Sequence, residues 1–164
     1  MVHADASNFA EGITKDEAYE QLLMLAEGLF TGQRNWGGVD LMRGVAIGFY
    51  VLDISSLRPQ LILGPFQGKV ACQTILFGQG VCGTAAESKT TQLVKDVEQF
   101  PGHIACDGDS KSEIVVPIVV KAADGQSKVV AIIDVDCAEL NGFDEVDKKY
   151  LEQLAQLLSS SCDW

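Results

Sequence analysis

Apolar residues recur at two spacings along this chain, and the change of period divides it into elements. Ala18, Leu22, Leu25, Ala26 and Leu29 follow helical spacing behind Thr14-Lys15-Asp16-Glu17, which fits a capping box. The spacing predicts a helix over 15–30, failing where Gly32, Gly37 and Gly38 weaken helical order. Strand character follows. VAIGFYVLD (45–53), LILG (61–64) and ACQTILF (71–77) read as three short strands, the first rich in β-branched and aromatic residues. EIVVPIVV (113–120) and KVVAIIDVD (128–136) are the strongest strands, and KAADGQS between them carries the Asp-Gly signal of a hairpin. GQGVCGTAAESK (78–89) suits a short helix after a tight loop, and TQLVKDV leads into an FPGH turn. At the C-terminus Val146, Tyr150, Leu151, Leu154, Ala155, Leu157 and Leu158 share one helix face. Asp144, Glu145 and Asp147 stand in its first turn, where negative charge suits the helix dipole.

This order predicts an α+β fold: an antiparallel sheet with the N- and C-terminal helices packed together on one face. The central loops and short helix then cover the other face and leave room for a small-ligand pocket. The 164 residues make one domain over 14–164, preceded by a tail over 1–13. A domain of that length buries ~68–70% of its unfolded surface, so it needs no disulfide or metal to hold a core.

Charge narrows the partners. Twelve basic against 23 acidic residues give a net charge of −11. Phosphate binding rests on Lys and Arg, so the balance argues against nucleic acid and against an anionic membrane surface. No stretch approaches the ~20 apolar residues of a membrane span. MVHADASNFAEG lacks the basic start and apolar core of a secretory signal, so the expected location is cytoplasmic.

The candidate chemistry lies in the cysteines and in a few carboxylates. Cys72, Cys82, Cys106, Cys137 and Cys162 are odd in number and carry no export signal, which argues against a structural disulfide framework. In a reducing compartment a disulfide is more often transient and catalytic. Cys137 and Cys162 fit a buried apolar role. Cys106 stands in a polar loop, HIACDGD, able to present a thiol to a cleft. A redox thiol needs a partner, and Cys72 and Cys82 could supply resolver and relay. A zinc site from Cys72, Cys82, His103 and Cys106 is the weaker alternative, because only His103 and Cys106 form a tight ligand pair. Asp134 and Asp136 sit two apart in a strand, hence on one face, and Glu113 opens the preceding strand. Strand interiors disfavour Asp. The three carboxylates either mark a site for a cation or simply mark where the strands reach solvent. Trp36 and Tyr50, flanking the first strand, are core residues or pocket walls. GPFQG and GQGVCG lack the patterns of phosphate and dinucleotide loops.

Four segments in order, LGPFQGKVACQTI, FGQGVCGTAA, VKDVEQFPGHIACDGDSKSEIVVPIVV and AIIDVDC, resemble the free methionine-(R)-sulfoxide reductases, a GAF-domain family. The resemblance implies a GAF-like domain with about six antiparallel strands and a ligand pocket opposite the terminal helices. It implies reduction of free methionine-(R)-sulfoxide, with thioredoxin as reductant, fed by NADPH through thioredoxin reductase, and neither bound cofactor nor metal. By position, Cys106 matches the nucleophile, and Cys72 and Cys82 match the resolving cysteines, Cys72 being the favoured disulfide partner. Glu113, Asp134, Asp136, Tyr50 and Trp36 match the substrate pocket. The chain departs from the family pattern in one place: about ten extra residues separate Asn35-Trp36 from Gly48-Phe49-Tyr50. A non-catalytic GAF sensor is the alternative class, and whether the chain is a monomer or a homodimer stays open.

Overall fold

Thr14 and Glu17 close the capping box that starts helix α1, Lys15–Phe30: the Glu17 carboxylate accepts the Thr14 N–H at 2.7 Å, and Thr14 Oγ1 accepts the Glu17 N–H at 3.3 Å. The computed structural model describes residues 13–30, 46–122 and 124–164. After α1 come strands β1 (Ala46–Leu52), β2 (Gln60–Gln67) and β3 (Thr74–Leu76), then helix α2 (Gly80–Ser88). Strand β4 (Gln92–Val94), a single 3-10 turn at Val97–Gln99, β5 (Ser112–Lys121), β6 (Ser127–Cys137) and helix α3 (Glu145–Ser161) complete the chain. The six strands form one sheet in the order β3-β2-β1-β6-β5-β4, every neighbouring pair antiparallel.

The period-two alternation of the strands splits the core into two layers. Phe49, Ile114, Val116, Ile118, Ala131, Ile133 and Val135 face the terminal helices and pack on Leu151, Leu154 and Leu158 of α3. Tyr50, Leu61, Val115 and Ile132 face the other way, against Val81, Cys82, Ala85 and Ala86 of α2. The two long helices are tied polar-side as well. Asp144 caps α3, and its capping-box partner Asp147 receives Lys15 Nζ and, at 2.8 Å, the Tyr19 hydroxyl from α1. The Tyr19 and Tyr150 rings stack at 5.1 Å.

Three readings of the sequence shift. The buried face of α1 is carried by Tyr19, Leu22, Leu23 and Ala26, while Leu25 and its neighbour Met24 point outward. Helical spacing alone could not choose between two overlapping apolar stripes. The 71–77 strand shrinks to Thr74–Leu76, leaving Cys72 in irregular backbone. TQLVKDV, read as a lead-in to a turn, contributes edge strand β4, whose three residues pair with Glu113–Val115.

Candidate active site

The face that bears Tyr50 and Ile132 also bears Asp134, Asp136 and Glu113, because each lies an even number of residues from a neighbour on that face. The register then groups them. Glu113 pairs with Asp136 across β5 and β6, and Asp134 lies between Val115 on one side and Gly48 on the other. The absent side chain at Gly48 leaves the β1 side of Asp134 to the Tyr50 ring, whose Cε2 would stand 3.3 Å from a Cβ at position 48.

Helix α2 roofs this patch. Gly78 and Gly80, at φ +76° and +62°, turn the chain sharply into the helix, and the Gly83 N–H bonds back to Gln79. Gly83 passes so close under the Leu76 carbonyl that no Cβ fits there. These constraints press Cys82 down onto the acids: its thiol donates to Glu113 Oε1 at 3.5 Å. From the opposite rim, the loop after the FPGH turn brings Cys106 to Cys72, and the two form a disulfide with Cα atoms 5.3 Å apart. The loop is held by Asp107, whose side chain accepts the Asp109 N–H at 3.0 Å, and by an exposed Lys69–Asp109 ion pair.

Between roof, rim and sheet lies a cavity of about 250 Å³. Its walls include Cys72, Cys82, Cys106, Glu113, Asp134 and Asp136. Among the described residues the structure therefore brings the three cysteines and the carboxylates Glu113, Asp134 and Asp136 to one cavity, with Asp107 as a further acid on its wall. Tyr50, 2% exposed, belongs to the packed layer under it and is not among its lining residues. Trp36 lies outside the described residues. Cys162 is core, and Cys137 is half-buried with its sulfur accepting the Glu139 N–H. In the oxidised protein the zinc alternative lacks two of its four ligands, since Cys72 and Cys106 are bonded to each other.

Sequence reading missed several contributors. Ser110 donates to Asp136 Oδ1 at 2.6 Å, and Ile104 and the start of α2 line the cavity. Ser110 shows no periodicity because it sits in a loop; only its closeness to the Cys106 motif could have flagged it.

The electrostatics favour protons over charge. Burial and the neighbouring Asp136 push the Asp134 carboxyl up to about 7. Burial, with Asp134 and Asp136 beside it, holds Glu113 well above the usual carboxylate range. Asp136 is raised by burial but eased by the Ser110 hydrogen bond. Burial and the Asp134 and Glu113 carboxylates push the Cys82 thiol up, which keeps it protonated and a poor nucleophile. The arrangement can thus offer acidic protons toward a polar atom bound next to a redox-active disulfide. Helix α2 begins at this cavity with no side chain capping its free N–H groups, a setting that suits a carboxylate.

The comparisons agree with this geometry. The chain matches the GAF domain family over residues 37–161. It is 51% identical over 174 aligned positions to the free methionine-R-sulfoxide reductase of Saccharomyces cerevisiae, covering 98% of this chain and 94% of that one. A solved structure described as the structure of the GAF domain superposes with a TM-score of 0.86 at 49% identity, covering 100% and 98% of the two chains. The free methionine-R-sulfoxide reductase of Neisseria meningitidis, solved in complex with its substrate, superposes with a TM-score of 0.76 at 34% identity over 98% and 94%. No described helix is long and apolar enough to cross a membrane.

Proposed function

The chain belongs to the GAF-domain family and, within it, to the free methionine-R-sulfoxide reductases, and from that premise we propose how its cavity turns free methionine-(R)-sulfoxide into methionine. The observation that carries the reading is the meeting of the Cys72–Cys106 disulfide with Glu113, Asp134 and Asp136 in one cavity. A small-molecule sensor would need the pocket but not the paired thiols on its rim.

The substrate's carboxylate lies at the N-terminus of α2 and its ammonium at Asp136 near the Asp107 loop. The sulfoxide oxygen points to the buried pair Glu113 and Asp134, which retain protons near neutral pH. In the reduced enzyme the Cys106 thiolate attacks sulfur while a carboxylic acid protonates the oxygen. Methionine leaves, and the oxygen stays on Cys106 as a sulfenic acid. The Cys72 thiol attacks that sulfur, water departs, and the disulfide present in the structure results. One sulfoxide and two thiols become one sulfide, one disulfide and one water. The pairing leaves Cys82 outside this disulfide, as a hydrogen-bond donor to Glu113.

Resetting the enzyme takes two electrons and two protons from an external dithiol, for which thioredoxin is the proposed donor, with NADPH behind it through thioredoxin reductase. Supporting a protein donor, Val70 and Ile104 each precede a disulfide cysteine by two residues and are 50% and 51% exposed. Each offers an exposed apolar side chain two residues from the bond to be attacked. The reading places the enzyme in the cytoplasm, where such a dithiol is kept reduced.

The test follows NADPH loss with thioredoxin, its reductase and free methionine-(R)-sulfoxide, with the S epimer and a sulfoxide-containing peptide as controls. Oxidation confined to the free R epimer supports the reading. A Cys106→Ser protein that still yields one methionine per chain without reductant sinks it.

A further inference from the structure

Once Cys72 and Cys106 are joined, Cys82 is the cavity's remaining thiol among the described residues, and it does not stand alone. Its Sγ and one carboxylate oxygen from each of Glu113 and Asp134 all lie within 4.8 Å of one another. The Cys82 sulfur is already 3.5 Å from Glu113 Oε1, about the separation of two ligands on a tetrahedral zinc ion. Asp134 supplies the second, independent sign. It is only 8% exposed, and its Oδ1 accepts no hydrogen bond of ordinary geometry among the described residues, with the Cys82 thiol and the Glu113 carboxyl beside it. A buried carboxyl oxygen left without a well-made hydrogen bond is costly, and a cation that takes the place of the acid's proton would remove the deficit.

We propose that Cys82, Glu113 and Asp134 bind a zinc-class divalent cation in the oxidised protein, with the fourth ligand position open to the cavity. The chemistry of the donors selects the ion. A thiolate among them disfavours magnesium and calcium, which take oxygen ligands, whereas thiolate with carboxylate suits zinc and cobalt. The scaffold is suitable: the ligands come from α2, β5 and β6, three elements fixed against one another by the core. Binding releases the thiol proton of Cys82 and any proton on the two carboxyl groups. The ion would occupy the acids that the proposed reduction uses, so it would block substrate and act as an inhibitor, not a cofactor. The inference concerns the same cavity as that reading, but its test is read without turnover.

The oxidised full chain is titrated with cobalt(II), then with zinc. With Cys72 and Cys106 locked in their disulfide, neither can contribute a thiolate. One equivalent of cobalt should produce a thiolate-to-metal absorption band in the near ultraviolet, bleached by one equivalent of zinc. Cys82→Ser should abolish the band, and Cys137→Ser should keep it. Asp134→Asn should keep the band but weaken binding by at least about tenfold. A band that survives Cys82→Ser, an unaltered affinity in Asp134→Asn, or no band at all overturns the proposal. Should Cys82→Ser not fold, Asp134→Asn carries the same decision. Methionine formation without metal binding would leave the reductase reading intact and remove only this one; metal binding without methionine formation would do the reverse.

Discussion

Replacing Asp134 by Asn should stabilise the oxidised protein at alkaline pH while impairing the reaction. In the folded chain the Asp134 carboxyl holds its proton until about pH 7, because it is buried next to Asp136. In the unfolded chain it ionises near ~3.9. The folded state therefore binds more protons between these limits. The stability linked to this group is fully present below the unfolded value and is lost as pH rises through about 7. From pH 5 to pH 7 the loss spans two pH units at ~1.4 kcal/mol each, or about 3 kcal/mol. Asparagine does not titrate, so the variant lacks that slope. Urea unfolding at pH 5, 6, 7 and 8, with the Cys72–Cys106 disulfide intact, reads the difference directly. The variant should gain about 3 kcal/mol on the parent between pH 5 and pH 8. A difference independent of pH would refute the placement of a neutral acid at this position. The same substitution removes a proton donor, so single-turnover methionine formation should fall as stability rises.

Three further outcomes follow from the geometry. Cys72→Ser should still release one methionine per chain in a rapid-quench assay yet fail to recycle, since its sulfenic acid has lost the partner to which the structure joins it. Val70→Asp, at an exposed position outside the cavity lining, should slow thioredoxin-driven turnover about tenfold, the scale of a lost interface anchor, and leave turnover driven by dithiothreitol unchanged. Gly83→Ala should cost about 1–3 kcal/mol in a thermal melt, because its Cβ meets the Leu76 carbonyl and the Gly78 nitrogen, both backbone and unable to yield.

The strand faces were legible because their period is two and their residues are unambiguous. Placing Asp134 and Asp136 on one face needs only their spacing, and their company with Glu113 follows from the β5–β6 hairpin register. The N-terminal helix was legible through its cap, Thr14 with Glu17, and the C-terminal one through its apolar face and the acidic residues at its start, whose capping box only the structure shows. What escaped was set by contacts distant in sequence. Strand β4 has three residues, too few for a period to show, and exists because β5 offers it an edge. The choice between Leu23 and Leu25 on α1 depends on where α3 lies. Cys82 looked equivalent to Cys72 by type and spacing; only the descent of α2 onto the sheet separates a buried thiol from a rim thiol.

The division of labour between these parts has a physical reason. A proton donor must meet the sulfoxide oxygen in one geometry, so Glu113, Asp134 and Asp136 stand on β5 and β6, where ladder hydrogen bonds on both sides fix the backbone. The redox cysteines have the opposite requirement. Cys106 must reach substrate as a thiolate and then meet Cys72 at bonding distance, two positions that one rigid ladder cannot supply. Both residues lie outside the strands, Cys72 before β3 and Cys106 in the loop closed by Asp107 and the Lys69–Asp109 pair. The Lys69–Asp109 pair is exposed and worth little, so the cysteine segments are joined mainly by the disulfide itself. Reduction should then loosen the rim and leave the acids in place. Amide hydrogen exchange in the two redox states tests this: faster exchange on reduction should be confined to residues near 70–73 and 103–110, and comparable acceleration in β5 and β6 would show that the acids move with the thiols.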